Sequence, residues 1–207
     1  MGLPAFRTEF STLVSADEYL RLDAEADSKL EFTNGLVWAM AGADPAHNDI
    51  NYNLNQAIGP HLRDRGCKAS MSDQRVQAKN RSGYLYPDTV ATCGPRVFSE
   101  DYKPASLTNP VFIAEVTSDS TKSRDHVEKF MLYRQIPSLR QYLMLSSEEV
   151  HAELYTLDEL SRWVLTETRD LSAALDLSSI GCQVPLTEVY HGITDGADKA
   201  ADAADSF

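Results

Sequence analysis

Basic residues are in short supply in this chain. In 207 residues, 19 Lys and Arg stand against 31 Asp and Glu, a formal net charge of −12. So acidic an average argues against a protein that coats nucleic acid, because phosphate binding needs a basic surface. Cysteine is scarce too. Cys67, Cys93 and Cys182 lie far apart with no Cys-x-x-Cys. That count argues against a zinc site or a disulfide framework and fits buried thiols in a reducing cytoplasm. No run of about 18 or more apolar residues exists, so no membrane span is expected. The start, Met1-Gly2-Leu3-Pro4-Ala5-Phe6-Arg7, lacks the cationic flank and apolar stretch of a secretory signal. A Gly-rich phosphate loop, Gly-x-Ser-x-Gly and His-Glu-x-x-His are also missing. Nucleotide-binding, nucleophilic-serine and zinc-protease readings therefore lack support. The expectation is a cytoplasmic protein with no membrane partner.

What is present fits an ordinary globular protein, with 43% apolar and 24% charged residues. The expected organisation is a flexible N-terminus over 1–10, one domain over 11–192 and a disordered acidic tail over 193–207. Ser15 and Glu18 form a capping box that opens a helix over 15–26. Asn34-Gly35 between the runs Lys29–Thr33 and Leu36–Met40 predicts a hairpin, because its turn needs positive φ. Asp44 caps a second helix with Pro45 in its first turn. Ile50, Leu54, Ile58 and Leu62 give that helix an apolar face; Gly59-Pro60 should bend or interrupt it, and Gly66 should stop it.

Strands are expected at 68–71, 75–79 and 84–93, with a turn at 80–83 and a loop at 94–110. Val111–Thr117 is a near-continuous apolar run, the mark of a central strand buried on both faces. A helix at about 124–135, a buried strand at 141–145 and a hairpin from 150–155 and 162–168 follow. This order predicts an α/β (α+β) protein: a mixed sheet with helices packed on it.

Three carboxylates and one histidine need explanation. Glu115 alternates in phase with Val111 and Ile113, so it should face the side they face. An isolated buried carboxylate costs several kcal/mol, so it needs a cation, a hydrogen-bond donor or the open end of its strand. Asp88 follows Tyr84-Leu85-Tyr86-Pro87 and precedes Thr89-Val90-Ala91, which places it inside a strand, where Asp is depleted. Pro87 puts that strand at an edge or bulge. Glu31 alternates as an exposed strand residue. His47 lies in the first turn of its helix, where a satisfied or solvent-facing imidazole is ordinary.

Two strand carboxylates with a helical lysine make a stronger pattern. Mg²⁺ prefers one or two carboxylates plus waters and phosphate oxygens. A nearby Lys can orient a nucleophile or neutralise phosphate. Lys129, four residues after Asp125, is the candidate; its bland alternative is an i,i+4 surface pair with Asp125.

The segments 30–35, 41–48, Tyr86-Pro87-Asp88, Asn109-Pro110 into 113–121, and Asp125 through Glu128-Lys129 to Tyr133 together resemble the Uma-two family. Pro137-Ser138-Leu139 with Gln141-Tyr142, and Pro185-Leu186 before Tyr190, extend the likeness over roughly 10–190. That resemblance implies a bacterial endonuclease with a restriction-endonuclease-like fold and a Pro-Asp…(Asp/Glu)-x-Lys core. It implies Asp88 and Glu115 as ligands of Mg²⁺ or Mn²⁺, with the Val116 main-chain carbonyl and Glu31 as further ligands. The nuclease pattern wants Lys two residues after the Glu. Here that position is Thr117, and Lys129 matches the lysine that takes its place. His47, Asp125 and Tyr133 occupy recurrent positions as accessory residues.

The leading expectation is therefore a metal-dependent DNA endonuclease, with a homodimer suited to cutting both strands. The alternatives are a catalytically inactive module of the same fold that binds protein or nucleic acid, and a hydrolase of smaller phosphate esters. The acidic average hides a local pattern. Between His61 and Leu145 there are 13 basic and nine acidic residues, a balance of +4, while the rest of the chain carries −16. A DNA-binding face, if local to this segment, would bind weakly and with strong salt dependence.

Overall fold

In the computed structural model the described residues are 13–40, 42–100, 102–118 and 124–193, with backbone only for 124–126. The arm over 1–10, nearly all of the tail over 193–207 and the side chain of Asp125 lie outside them.

The first helix, α1 (Ala16–Glu25), is capped by Ser15, whose Oγ accepts the Glu18 N–H at 3.2 Å. Only half of the expected box forms, because the Glu18 side chain turns to Arg21 instead. The hairpin of β1 (Leu30–Thr33) and β2 (Leu36–Ala39) turns at Asn34 and Gly35, with φ of 48° and 93°. The second helix, α2 (Pro45–Asp64), starts at its Asp44 cap, whose Oδ1 accepts the His47 N–H at 2.8 Å. It runs through Gly59-Pro60 as one helix, so of the expected bend or interruption the interruption does not occur. Pro60 and Gln56, one turn back, are both exposed, so the carbonyl that loses its donor can turn to water.

A six-stranded sheet is the centre of the molecule. Its strands are β3 (Cys67–Met71), β6 (Thr89–Cys93), β7 (Phe112–Thr117), β8 (Gln141–Ser146), β9 (Ala152–Leu157) and β10 (Trp163–Thr168), adjacent in that order. Only β7 and β8 pair in parallel. A second sheet is ordered β2-β1-β5-β4, with β4 (Val76–Gln77) and β5 (Gly83–Leu85).

The expected strand over 84–93 is thus two strands in two sheets, and Asp88 lies at their junction rather than inside a strand. Pro87 explains the split: it has no N–H to give a ladder, so pairing ends there and the chain crosses from one sheet to the other.

Every residue of β7 is buried, as its apolar run predicts. On one face Phe112, Ala114 and Val116 meet Ile50, Leu54, Ile58 and Leu62 of α2. On the other, Ile113 meets Tyr142, Met144, Leu132 and Tyr133. Glu115 shares the phase of Ile113, as expected; Val111 precedes the strand and packs on the opposite core. A third cluster, Tyr19, Leu20, Phe32, Val37 and Tyr84, seats α1 on the small sheet.

The helix expected at 124–135 is a π-helical turn at Arg124–Lys129 followed by α3 (Phe130–Tyr133). Phe130 anchors it among Tyr142, Tyr155 and Trp163, with ring centroids 4.3–5.5 Å away. Past β10, a hairpin of β11 (Ala174–Leu177) and β12 (Cys182–Pro185) and a short α4 (Leu186–Val189) complete the first core. Neither was anticipated, although Leu175, Leu177, Cys182 and Val184 alternate about a turn at Gly181.

The cysteine expectation is also corrected. Antiparallel pairing of β3 with β6 sets Cys67 opposite Cys93, with Cα atoms 4.0 Å apart, and the two form a disulfide. Sequence distance concealed this register. Cys182 is a free, buried thiol. No helix among the described residues is long and apolar enough to cross a membrane.

The β1–β2 turn gives a test of the local reading. A Cβ at Gly35 would require a φ near +93° and would stand 3.0 Å from the Leu13 side chain. Gly35→Ala should lower stability by about 1–3 kcal/mol, read as a lower urea midpoint at unchanged m-value.

Candidate active site

Three carboxylates from three different strand regions are buried near one lysine. Exposure is 1% for Glu31, 8% for Asp88, 3% for Glu115 and 6% for Lys129.

Asp88 is held from several sides. Its Oδ2 accepts the main-chain N–H of Val116 at 2.7 Å, and its Oδ1 lies 3.0 Å from His47 Nε2. Its own carbonyl accepts the Ser72 N–H at 3.0 Å and the Asn51 side-chain amide at 3.2 Å. The Val116 contact thus runs through its N–H. Asn51 and Asn55 continue the polar face one and two turns beyond His47. They bracket the Thr89 hydroxyl, which donates to Asn51 Oδ1 at 2.7 Å and accepts from Asn55 at 2.6 Å. Sequence reasoning stopped at His47; the i, i+4, i+8 spacing was the signal for the other two.

Glu115 Oε1 accepts from Lys129 Nζ at 3.2 Å and from the Tyr133 hydroxyl at 3.0 Å. Lys129 Nζ also lies 3.3 Å from Glu31 Oε1, which accepts the Tyr86 N–H at 3.1 Å. The ammonium therefore bridges two carboxylates, the pairing that buried charges require. Lys129 is not a surface residue: it is buried and turns inward to the two carboxylates. Glu31 is likewise not exposed; it is buried against the Tyr86 backbone and Lys129. Burial pushes the Tyr133 phenol well above its usual range, and the charges of Glu115 and Glu31 push it further, so it stays a hydrogen-bond donor. Thr117, at the motif lysine position, is buried with its hydroxyl 3.5 Å from the Leu145 carbonyl.

The structure thus brings Glu31, Glu115, Lys129 and Tyr133 into direct contact, and ties His47, Asp88 and Val116 together one residue away along β7. Among the described residues, no three acidic, His or Cys side chains gather as a metal-holding group. Hard cations such as Mg²⁺ accept as few as one or two protein carboxylates, and Asp88 and Glu115 are donors of that chemistry.

The model of a family described as "Putative restriction endonuclease" matches residues 16–187. Uncharacterized protein slr1290 of Synechocystis is 33% identical over 181 residues, covering 87% of this chain and 93% of that one. Uncharacterized protein sll1609 of the same organism is 32% identical over 166 residues, covering 80% and 93%. A crystal structure described as "a putative nuclease belonging to DUF820", from Anabaena variabilis, superposes with a TM-score of 0.68 at 13% identity. That match covers 87% of this chain and 99% of the other, and it shows a shared fold.

The Asp88–His47 contact is open to direct measurement. Burial works against charge on the imidazole, yet the hydrogen bond and charge of Asp88, with Asp44 adding, outweigh it and raise its pKa. In metal-free protein, NMR titration should place His47 above the ordinary value of about 6.5. Asp88→Asn removes the carboxylate and leaves burial dominant, so the midpoint should fall. Identical titrations in the two proteins would refute the contact.

Proposed function

This chain belongs to the Uma2 family, and from that membership and the site geometry we propose that it is a metal-dependent endonuclease hydrolysing DNA phosphodiester bonds. The observation that carries the reading is the burial of Asp88, Glu115 and Lys129 around one strand end, in contacts that fix all three. A Mg²⁺ or Mn²⁺ ion held by Asp88 and Glu115, with the Val116 carbonyl and Glu31 as further donors, would supply an acidified water and stabilise phosphate charge.

The chain's own residues do the rest. The Val116 N–H and His47 hold Asp88 in one orientation. Tyr133 and Lys129 hold Glu115. Lys129, held between Glu31 and Glu115, orients the attacking water and offsets the charge that builds on the phosphate as the bond to the leaving oxygen breaks. Arg and Lys side chains of the central segment take the DNA backbone.

A catalytically silent module is the second reading. It is favoured by Thr117 at the motif lysine position and by Lys129 being bound to two carboxylates. Calorimetric titration with Mn²⁺ separates the two: the nuclease reading requires binding that Asp88→Ala and Glu115→Ala weaken.

The direct test is cleavage of supercoiled plasmid with Mg²⁺ or Mn²⁺. Wild type should cut, and Asp88→Ala, Glu115→Ala and Lys129→Ala should each be slower by about 100-fold or more. Equal rates in all four would mean a contaminating nuclease and would overturn the assignment.

A further inference from the structure

Behind the site lies a second polar cluster in which none of the proposed ligands takes part. Asp23, near the end of α1, and Arg75, just before β4, form a buried ion pair with side chains 2% and 1% exposed. Asp23 Oδ1 accepts the Leu30 N–H at 2.9 Å. Asp23 Oδ2 accepts from Arg75 Nη1 and from the Tyr86 hydroxyl, the latter at 2.6 Å. Arg75 Nε donates to Ser106 Oγ at 2.8 Å, and its Nη2 donates to the Pro104 carbonyl. Tyr19 reinforces the same spot by donating to the Leu30 carbonyl at 2.7 Å.

The residues gripped here stand next to the site in the chain. Leu30 immediately precedes Glu31. Tyr86 is two residues before Asp88, and its N–H donates to Glu31 Oε1 at 3.1 Å. One carboxylate therefore ties together the two segments that carry Glu31 and Asp88. Buried ion pairs are weak sources of stability, since an apolar replacement of similar volume often does as well. What a hydrogen-bonded pair supplies, and an apolar contact does not, is one specific geometry, because each oxygen is matched to a donor on a particular segment.

We propose that Asp23 is a positioning residue for the active site, setting the spacing of Glu31 and Asp88 through its bonds to Leu30 and Tyr86. The catalytic side of this inference rests on the nuclease reading; its structural side does not. The test uses the full chain and two variants. Asp23→Asn keeps the shape and removes the charge. Tyr86→Phe removes only the hydroxyl that reaches Asp23 and leaves the Asp23–Arg75 pair intact, so it reports even if Asp23→Asn fails to fold.

Amide hydrogen exchange, followed by NMR without metal, reads the positioning directly. The Tyr86 and Val116 N–H groups donate to Glu31 and Asp88, while those of Leu143 and Met144 in the central sheet serve as controls. The expected result is exchange at Tyr86 and Val116 at least tenfold faster than in wild type, with Leu143 and Met144 unchanged. If all four amides speed up together, or none does, Asp23 is merely structural and the proposal is overturned.

The second arm measures plasmid cleavage well below the melting temperature. Here kcat should fall about tenfold in Asp23→Asn and less in Tyr86→Phe, with KM for DNA unchanged. A kcat equal to wild type in folded variants also overturns the proposal. Were wild type itself inactive, the nuclease reading would fail, and the exchange measurement would still decide the role of Asp23.

Discussion

The hydrogen bond from the Val116 N–H to Asp88 is the contact on which the arrangement of the site depends. The pairing of β6 with β7 sets Thr89 opposite Ala114 and Ala91 opposite Phe112. Continued one step further, the same register would bring Pro87 opposite Val116. The chain instead turns away at Pro87 toward the small sheet, and the buried Val116 amide still needs an acceptor. The Asp88 side chain supplies it. One residue thus closes the end of a ladder and aims a carboxylate at the strand that carries Glu115.

The electrostatics follow from that closure. Three carboxylates under the surface are tolerable only with matched donors and cations, and each has them here: a main-chain amide and an imidazole for Asp88, an ammonium and a phenol for Glu115, an amide and the same ammonium for Glu31. Lys129 reaches this position from a π-helical turn, a local widening that is uncommon in helices and is found often at functional sites. Groups fixed in advance in a poorly solvated place need no reorganisation when charge develops on a substrate, which is where such sites gain most of their effect.

Much of the framework was legible in the sequence because it is written in local chemistry. Asn34-Gly35 specifies a hairpin, Ser15 and Asp44 specify helix starts, and the unbroken apolar run of β7 specifies burial on both faces. The site was legible mainly through its resemblance to a family. Residue patterns alone misjudged three of its features, each for a tertiary reason. Alternation assigns Glu31 a face but not what covers that face. Spacing by four along a helix does not show that Lys129 turns inward to Glu31 and Glu115. The run from Tyr84 to Cys93 reads as one strand because nothing local says that its two halves join different sheets. The Cys67–Cys93 bond was hidden for the same reason, since cross-strand register is not a property of either segment alone.

That bond also has a topological consequence. Its two cysteines are 26 residues apart in the chain, and the ring it closes contains β3 and β6 of the large sheet, β4 and β5 of the small one, and Pro87-Asp88 at their junction. The exposed turn around Lys79 and Asn80 lies within the ring. A protease that nicked the backbone there would not release a fragment: the portions before and after the nick would stay tethered through sulfur, with Asp88 still enclosed between Pro87 and the strand that ends at Cys93.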